Sequence, residues 1–266
     1  MSKHLYPHSI REINDLHEDD KISIYKSLIP DWVYKQFAID ADTLMKDGQR
    51  VVTFRCPPKT RAVEITIKQD AADIDPMVYL HLADNMNNQL QVLLVQVNDP
   101  SEPRFDIDVD ADGNPTNFGT TGRNISAELA AMAYGLAPGQ VRAGLRGFRK
   151  MVPVFEAFIS NMGHEMFFVE PMSYHNAIMF ERYGFNYLRG QAEMQRIHEA
   201  FTPDDGELYL RLVDDNPFRQ PDAWSTVRGR SWAIHDGILG RPFTGVQMYK
   251  HVGRHAKIST CAQVEW

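Results

Sequence analysis

Pro138-Gly139-Gln140-Val141-Arg142-Ala143-Gly144-Leu145-Arg146-Gly147 is the stretch on which the reading of this chain turns. Three glycines and two arginines fall within ten residues. Glycines let backbone N–H groups approach an anion, and a helix that starts behind them turns the positive end of its dipole to the same place. A helix does follow in the pattern. Phe148, Met151, Val152, Phe155, Ile159 and Met162 recur at helical spacing until Gly163. Pro153 lies inside that pattern, so the helix either kinks there or starts near it.

Downstream, residues 166–169 read as a short buried strand and 173–183 as a helix closed by Gly184. Residues 185–188 read as another strand. Strand, helix, strand, helix and strand in that order predict an α/β layer architecture. Upstream, the Ala-rich residues 126–134 read equally as strand or helix. Before them comes a β region: 50–56 ending at Pro57-Pro58, 62–68 alternating apolar and polar, and 78–82 pairing with 90–97 across a polar turn at 84–88. Residues 105–109 read as one more strand with an acidic face. The first 50 residues read as helical, with Ile22, Tyr25, Leu28 and Ile29 on one face and an interruption at Pro30. The expected fold is therefore mixed α/β, a mixed sheet flanked by helices. It divides into an N-terminal helical segment (1–50), a core (51–200) and a C-terminal extension packed on the core (201–266).

The run from Glu128 to Gly190 resembles the GNAT acyltransferase superfamily. The resemblance rests on Arg142 to Gly147, the amphipathic helix and short strand behind them, and Asn176-Ala177-Ile178-Met179-Phe180-Glu181-Arg182-Tyr183-Gly184-Phe185. It covers about a quarter of the chain. It implies acetyl-CoA or another acyl-CoA as co-substrate, with its pyrophosphate on the loop formed by Arg142, Ala143, Gly144, Leu145, Arg146 and Gly147 and further contacts from Asn176 and Phe180. Two positions depart from the family pattern: Leu145 stands where the first loop glycine belongs, and Phe180 where many members carry a proton-donating tyrosine. Tyr174 and Tyr183 are alternative phenols. The implied reaction is attack of an amine on the thioester, with a carboxylate taking the proton. Glu128, on the strand expected to lead into the loop, and Glu170, at the exit of the strand 166–169, are the candidates. For either carboxylate a solvated or ion-paired role is the favoured competing reading.

Composition limits the alternatives. The 266 residues are 43% hydrophobic and 24% charged, with a formal charge of −7. That content suits a folded chain, and the acidic balance argues against nucleic acid as a partner. No stretch is apolar for long enough to span a bilayer, and residues 1–20 lack the apolar core of a signal peptide. Cys56 and Cys261 form neither a disulfide framework nor a zinc pattern. A cytoplasmic setting with no metal is the expectation.

Three other groups carry chemistry. Asp108, Asp110, Asp112 and Gly113 begin like a calcium loop, but Gly119 occupies the position that needs a bidentate Glu. A solvated acidic strand edge is the competing reading. Arg228 and Arg230 flank the approach to Trp232, and His235 stands beside Asp236; an anion site and a salt-bridge network both fit. Tyr174-His175-Asn176 either lines a pocket or caps a helix. Functionally, the sequence supports an acyl-CoA-dependent N-acyltransferase acting on a small amine or amino acid. The alternatives are a non-catalytic protein of the same fold that binds a ligand, and an interaction subunit or homo-oligomer built on its 12 Met, 10 Tyr and 14 Phe.

Overall fold

Strict alternation of burial along Ala62–Ile67 and Val78–Asp84 marks the sheet around which the first half of the chain is built. The computed structural model describes residues 5–116, 121–145 and 147–266. In chain order the elements begin with α1 (Ile10–Asn14), α2 (Glu18–Lys26) and α3 (Asp31–Gln36). Strands β1 (Met45–Lys46), β2 (Gln49–Arg50), β3 (Val52–Arg55), β4 (Ala62–Ile67), β5 (Val78–Asp84) and β6 (Leu90–Val97) follow. Then come α4 (Ile125–Ala133), α5 (Phe148–Asn161), β7 (Met166–Val169), α6 (Tyr174–Arg182) and β8 (Asn186–Arg189). The chain ends with α7 (Gln191–Ala200), α8 (Val227–His235) and β9 (Gln247–His251). The fold is mixed α/β, as the sequence predicts.

By its contacts the chain forms two units. The first gathers Met1–Pro100, Gly144–Val169 and Tyr249–Arg254. The second gathers Ser101–Ala143, Glu170–Met248 and His255–Trp266. In the first unit the strands lie in the order β3-β4-β5-β6-β7-β9. From β3 to β6 each neighbour is antiparallel, whereas β6 and β7 run parallel. Parallel neighbours cannot be joined by a tight turn, and the amphipathic α5 supplies the return crossing. Val63, Ile65 and Ile67 of β4 and Val78, Leu80 and Leu82 of β5 are buried, as are Ile10, Ile13, Tyr25 and Val33 of the N-terminal helices. Tyr25 sits 6.4 Å from both Phe54 and Phe158, linking strand, helix and crossover in one aromatic cluster.

Polar groups taken into this core are paired. Asn14 is fully buried, donates to the carbonyls of Thr60 and Ala62, and accepts from Tyr25 Oη. Asp84 closes β5, and its two carboxylate oxygens accept from the amides of Ile10 (2.8 Å) and Arg11 (2.9 Å). A strand end thus caps the otherwise unsatisfied start of α1. Lys250 on β9 pairs with Glu156 on α5 at 2.8 Å and fixes the returning strand to the crossover helix.

The second unit corrects two expectations. Residues 105–109 form no strand; Arg104 ion-pairs with both Asp106 and Asp108, and only an isolated bridge joins Val109 to Pro115. Side chains that fold back on the preceding arginine leave no extended edge for a ladder. Residues 126–134 resolve to helix, not strand: alanine favours it, and Asn124 caps α4 by accepting from the Ala127 amide at 3.2 Å. Glu128 therefore lies in the first turn of a helix. The region beyond residue 201 also contains regular elements without a long periodic signal, namely α8, capped by Thr226, and β9.

Replacing Asp84 by alanine leaves two amides of the α1 start, that of Ile10 buried and that of Arg11 partly buried, without their acceptor. A loss of about 1–3 kcal/mol is expected, read from the urea unfolding midpoint. An unchanged midpoint would show that the α1 start does not depend on this carboxylate.

Candidate functional site

Strand β6 is unlike its neighbours. β4 and β5 alternate buried and partly exposed residues, but no residue of 93–97 in β6 is buried, and Leu93 is 42% exposed. Four of those five residues are Leu or Val. The ladder between β6 and β7 pairs Gln91 with Phe168 and Val92 with Val169, and then stops. Beyond Val92 the strand pairs with β5 alone among the described strands. An apolar strand in mid-sheet with one edge released is a place where an extended chain can dock by main-chain hydrogen bonds.

The start of the crossover helix lies beside the same end of β6. A Cβ placed on Gly144 would come within 3.0 Å of the Val97 carbonyl oxygen. Gly147 caps α5, and a Cβ there would meet the Trp32 ring at 2.7 Å, so only glycine lets this turn pass the indole. Leu145 is buried, while Arg149 and Lys150 are exposed on the first turn of α5. Helix start and cations together favour an anion there. Of the predicted loop, Gly144, Leu145 and Gly147 belong to the first unit and Arg142 and Ala143 to the second; Arg146 lies outside the described residues. The Arg142 guanidinium is already engaged, donating to the Glu102 carbonyl.

In the second unit, Glu128 and the His235-Asp236 pair, which the sequence singles out separately, come together. Glu128 is 2% exposed. Its carboxylate accepts from Arg123 Nε at 2.9 Å and lies 3.3 Å from His235 Nε2. Arg123 also reaches Asp236 at 2.7 Å, and Asp236 is bound in turn by Arg219 Nε (2.7 Å) and Asn216 (2.9 Å). His235 and Asp236 thus turn to different partners and are joined through Arg123. Burial alone would raise the Glu128 pKa, but hydrogen bonds from His235 and Arg123 outweigh it and hold the carboxyl below its ordinary value. Asp236 is held down the same way, against burial, chiefly by Arg123 and Asn216. Chemically this is an ion-paired clamp between α4 and α8, with both carboxylates committed.

The remaining predicted residues are dispersed. Tyr174 is 1% exposed, and its hydroxyl donates to Cys261 Sγ at 3.3 Å; burial pushes its pKa far up. His175 is buried beside Ser173 and pushed down to about 3, first by burial and then by the positive fields of Arg228 and His235, so it is neutral. Phe180 is buried against Phe185, with ring centroids 4.9 Å apart, and Asn176 is partly exposed on the same helix. Glu170 is exposed and follows β7 directly. Of the calcium-like run, Asp110 accepts from the amides of Asp112 and Asn114 as a turn does, and Gly119 lies outside the described residues.

No local sequence pattern points to Arg123, Asn216 or Arg219. Arg123 and Asp236 are 113 residues apart, and no short-range pattern announces such a pair. Among the described residues, no group of three or more His, Cys, Asp or Glu side chains is placed to hold a metal ion, and no helix is long and apolar enough to cross a membrane. Compared with known family models, curated protein sequences and solved structures, the chain matches none.

The depressed pKa values of Glu128 and Asp236 carry a sign. Their stabilisation is complete above the unfolded-state carboxylate pKa, about 4, and is lost as pH falls through the lower folded values. Glu128→Gln should flatten that acid-side loss. At neutral pH it should cost about 1–3 kcal/mol, because Arg123 loses one of its two carboxylate partners and keeps Asp236. Urea unfolding of both proteins across the acid range checks both statements; parallel pH profiles would contradict the clamp.

Proposed function

We propose that this chain is an acyl-CoA-dependent N-acyltransferase acting on a small amine or amino acid. The observation that carries the reading is the released carboxyl half of β6, apolar, incompletely covered and flanked by the start of α5. When bound, the coenzyme supplies an acyl group activated as a thioester. The main-chain N–H and C=O groups of residues 93–97 suit the amides of an extended arm. The first turn of α5, with Arg149 and Lys150, suits the phosphates. A β6 amide aimed at an acyl carbonyl would stabilise negative charge developing on its oxygen.

For the proton, the three candidates differ. Glu128 is committed to Arg123 and His235, and Tyr174 is buried with its hydroxyl on Cys261. Glu170 alone is exposed and keeps its carboxylate available to an incoming amine. The burial of Tyr174 and Phe180 favours a second reading, a protein that binds the coenzyme without transferring from it.

A calorimetric titration with acetyl-CoA, paired with a free-thiol assay over a panel of amines and amino acids, separates these readings. Acyl transfer predicts saturable binding and amine-dependent thiol release. The double variant Arg149→Glu, Lys150→Glu should bind about tenfold more weakly. Glu170→Gln should keep binding and lose roughly 100-fold in turnover. Binding without thiol release would select the second reading, and no binding would end both.

A further inference from the structure

In the second unit, a cavity of ≈ 260 Å³ lies among the end of α4, the start of α8 and the segment before it. Met132, Leu136, Phe218 and Trp232 form its apolar wall, and Arg228 and Asp222 supply its charge. The wall is fixed before any ligand arrives. The Trp232 indole N–H donates to the Leu136 carbonyl at 2.9 Å, Phe218 stacks on Trp232 at 5.5 Å, and Arg123 lies 4.7 Å over the other ring.

Arg228 is the unexplained group. The other arginines of this unit that are not exposed, Arg104, Arg123, Arg142, Arg219 and Arg230, each donate hydrogen bonds to a carboxylate or carbonyl. Arg228 is partly buried, yet among the described residues it has no acidic partner; its guanidinium lies 6.0 Å over the Trp266 ring and passes the bare Cα of Gly135. Burial lowers its pKa, as expected for a cation losing water without gaining an anion. Its own amide belongs to the first turn of α8, whose dipole adds to the positive field.

We propose that this cavity binds a small organic carboxylate with an apolar body, the carboxylate on Arg228 and the body against Trp232 and Phe218. The size suits a compact ligand, since the volume lies just below the usual range of small-molecule pockets, about 300–1,000 Å³. The charge selects a monoanion: there is one guanidinium, the nearby His175 is neutral, and the Asp222 carboxylate repels a dianion. A planar guanidinium fork matches a carboxylate in two parallel hydrogen bonds. The site lies wholly in the second unit and does not depend on the acyl-transfer reading.

Isothermal titration of the full chain with 3-phenylpropionate, 3-phenylpropionamide and inorganic phosphate tests this. The carboxylate should bind saturably, with the amide and phosphate each weaker by about tenfold or more. Arg228→Gln should weaken carboxylate binding by a similar factor, and Met132→Trp, which fills the cavity and leaves Arg228 intact, should do the same. No carboxylate binding, equal binding of the amide, or equal binding of phosphate would each overturn the proposal. So would a folded Arg228→Gln that binds unchanged. Should that variant fail to fold, the three-ligand series on the unaltered chain decides.

Discussion

Two parallel strands set the terms for the first unit. β6 and β7 can neighbour each other only if the chain leaves the sheet and returns, and α5 is that return. The helix brings its N-terminal end to the carboxyl end of β6, where Gly144 comes close to Val97 and Gly147 lets the turn pass Trp32. Because the ladder stops at Val92, the same crossing leaves a strand edge and a helix start side by side. Ligands of open α/β sheets gather outside strand carboxyl ends, where neighbouring connections diverge. The proposal of a coenzyme site rests on this topology more than on particular side chains.

Charge burial plays the corresponding part in the second unit. Glu128 has almost no contact with solvent, and a carboxylate there is tolerable only if paired. Arg123 and His235 answer it, and Arg123 carries the network on to Asp236 and Arg219. Such a clamp gains little stability over an apolar contact of the same shape, and it ties α4 to α8 through Glu128 and His235. Phe218 packs against both Arg123 and Trp232, and those rings wall the cavity that Arg228 faces.

What the sequence discloses follows from the range of the interactions. Period-two alternation marks β4 and β5, and 3.6-residue spacing marks α5; both are local and both agree with the structure. Residues 126–134 are ambiguous because alanine carries no periodic contrast, and the Asn124 cap that decides for helix sits outside the window. The 105–109 alternation misleads because Arg104, just before it, draws both aspartates back. β9 is five residues long between Gly245 and Gly253, and Gln247, Lys250 and His251 deny it the apolar run that marks residues 166–169. Tyr174 and Glu128 are chemically suggestive as letters, and only their burial and partners show how they are occupied. Glu170 and the released edge of β6 could not be ranked above them without knowing where a ladder ends.

Amide hydrogen exchange with and without acetyl-CoA reads the proposed binding backbone itself. Slower exchange is expected at the main-chain amides of residues 93–97 and in the first turn of α5, with α4 and α8 unchanged. Exchange unaltered along β6, or protection confined to other elements, would contradict the proposal.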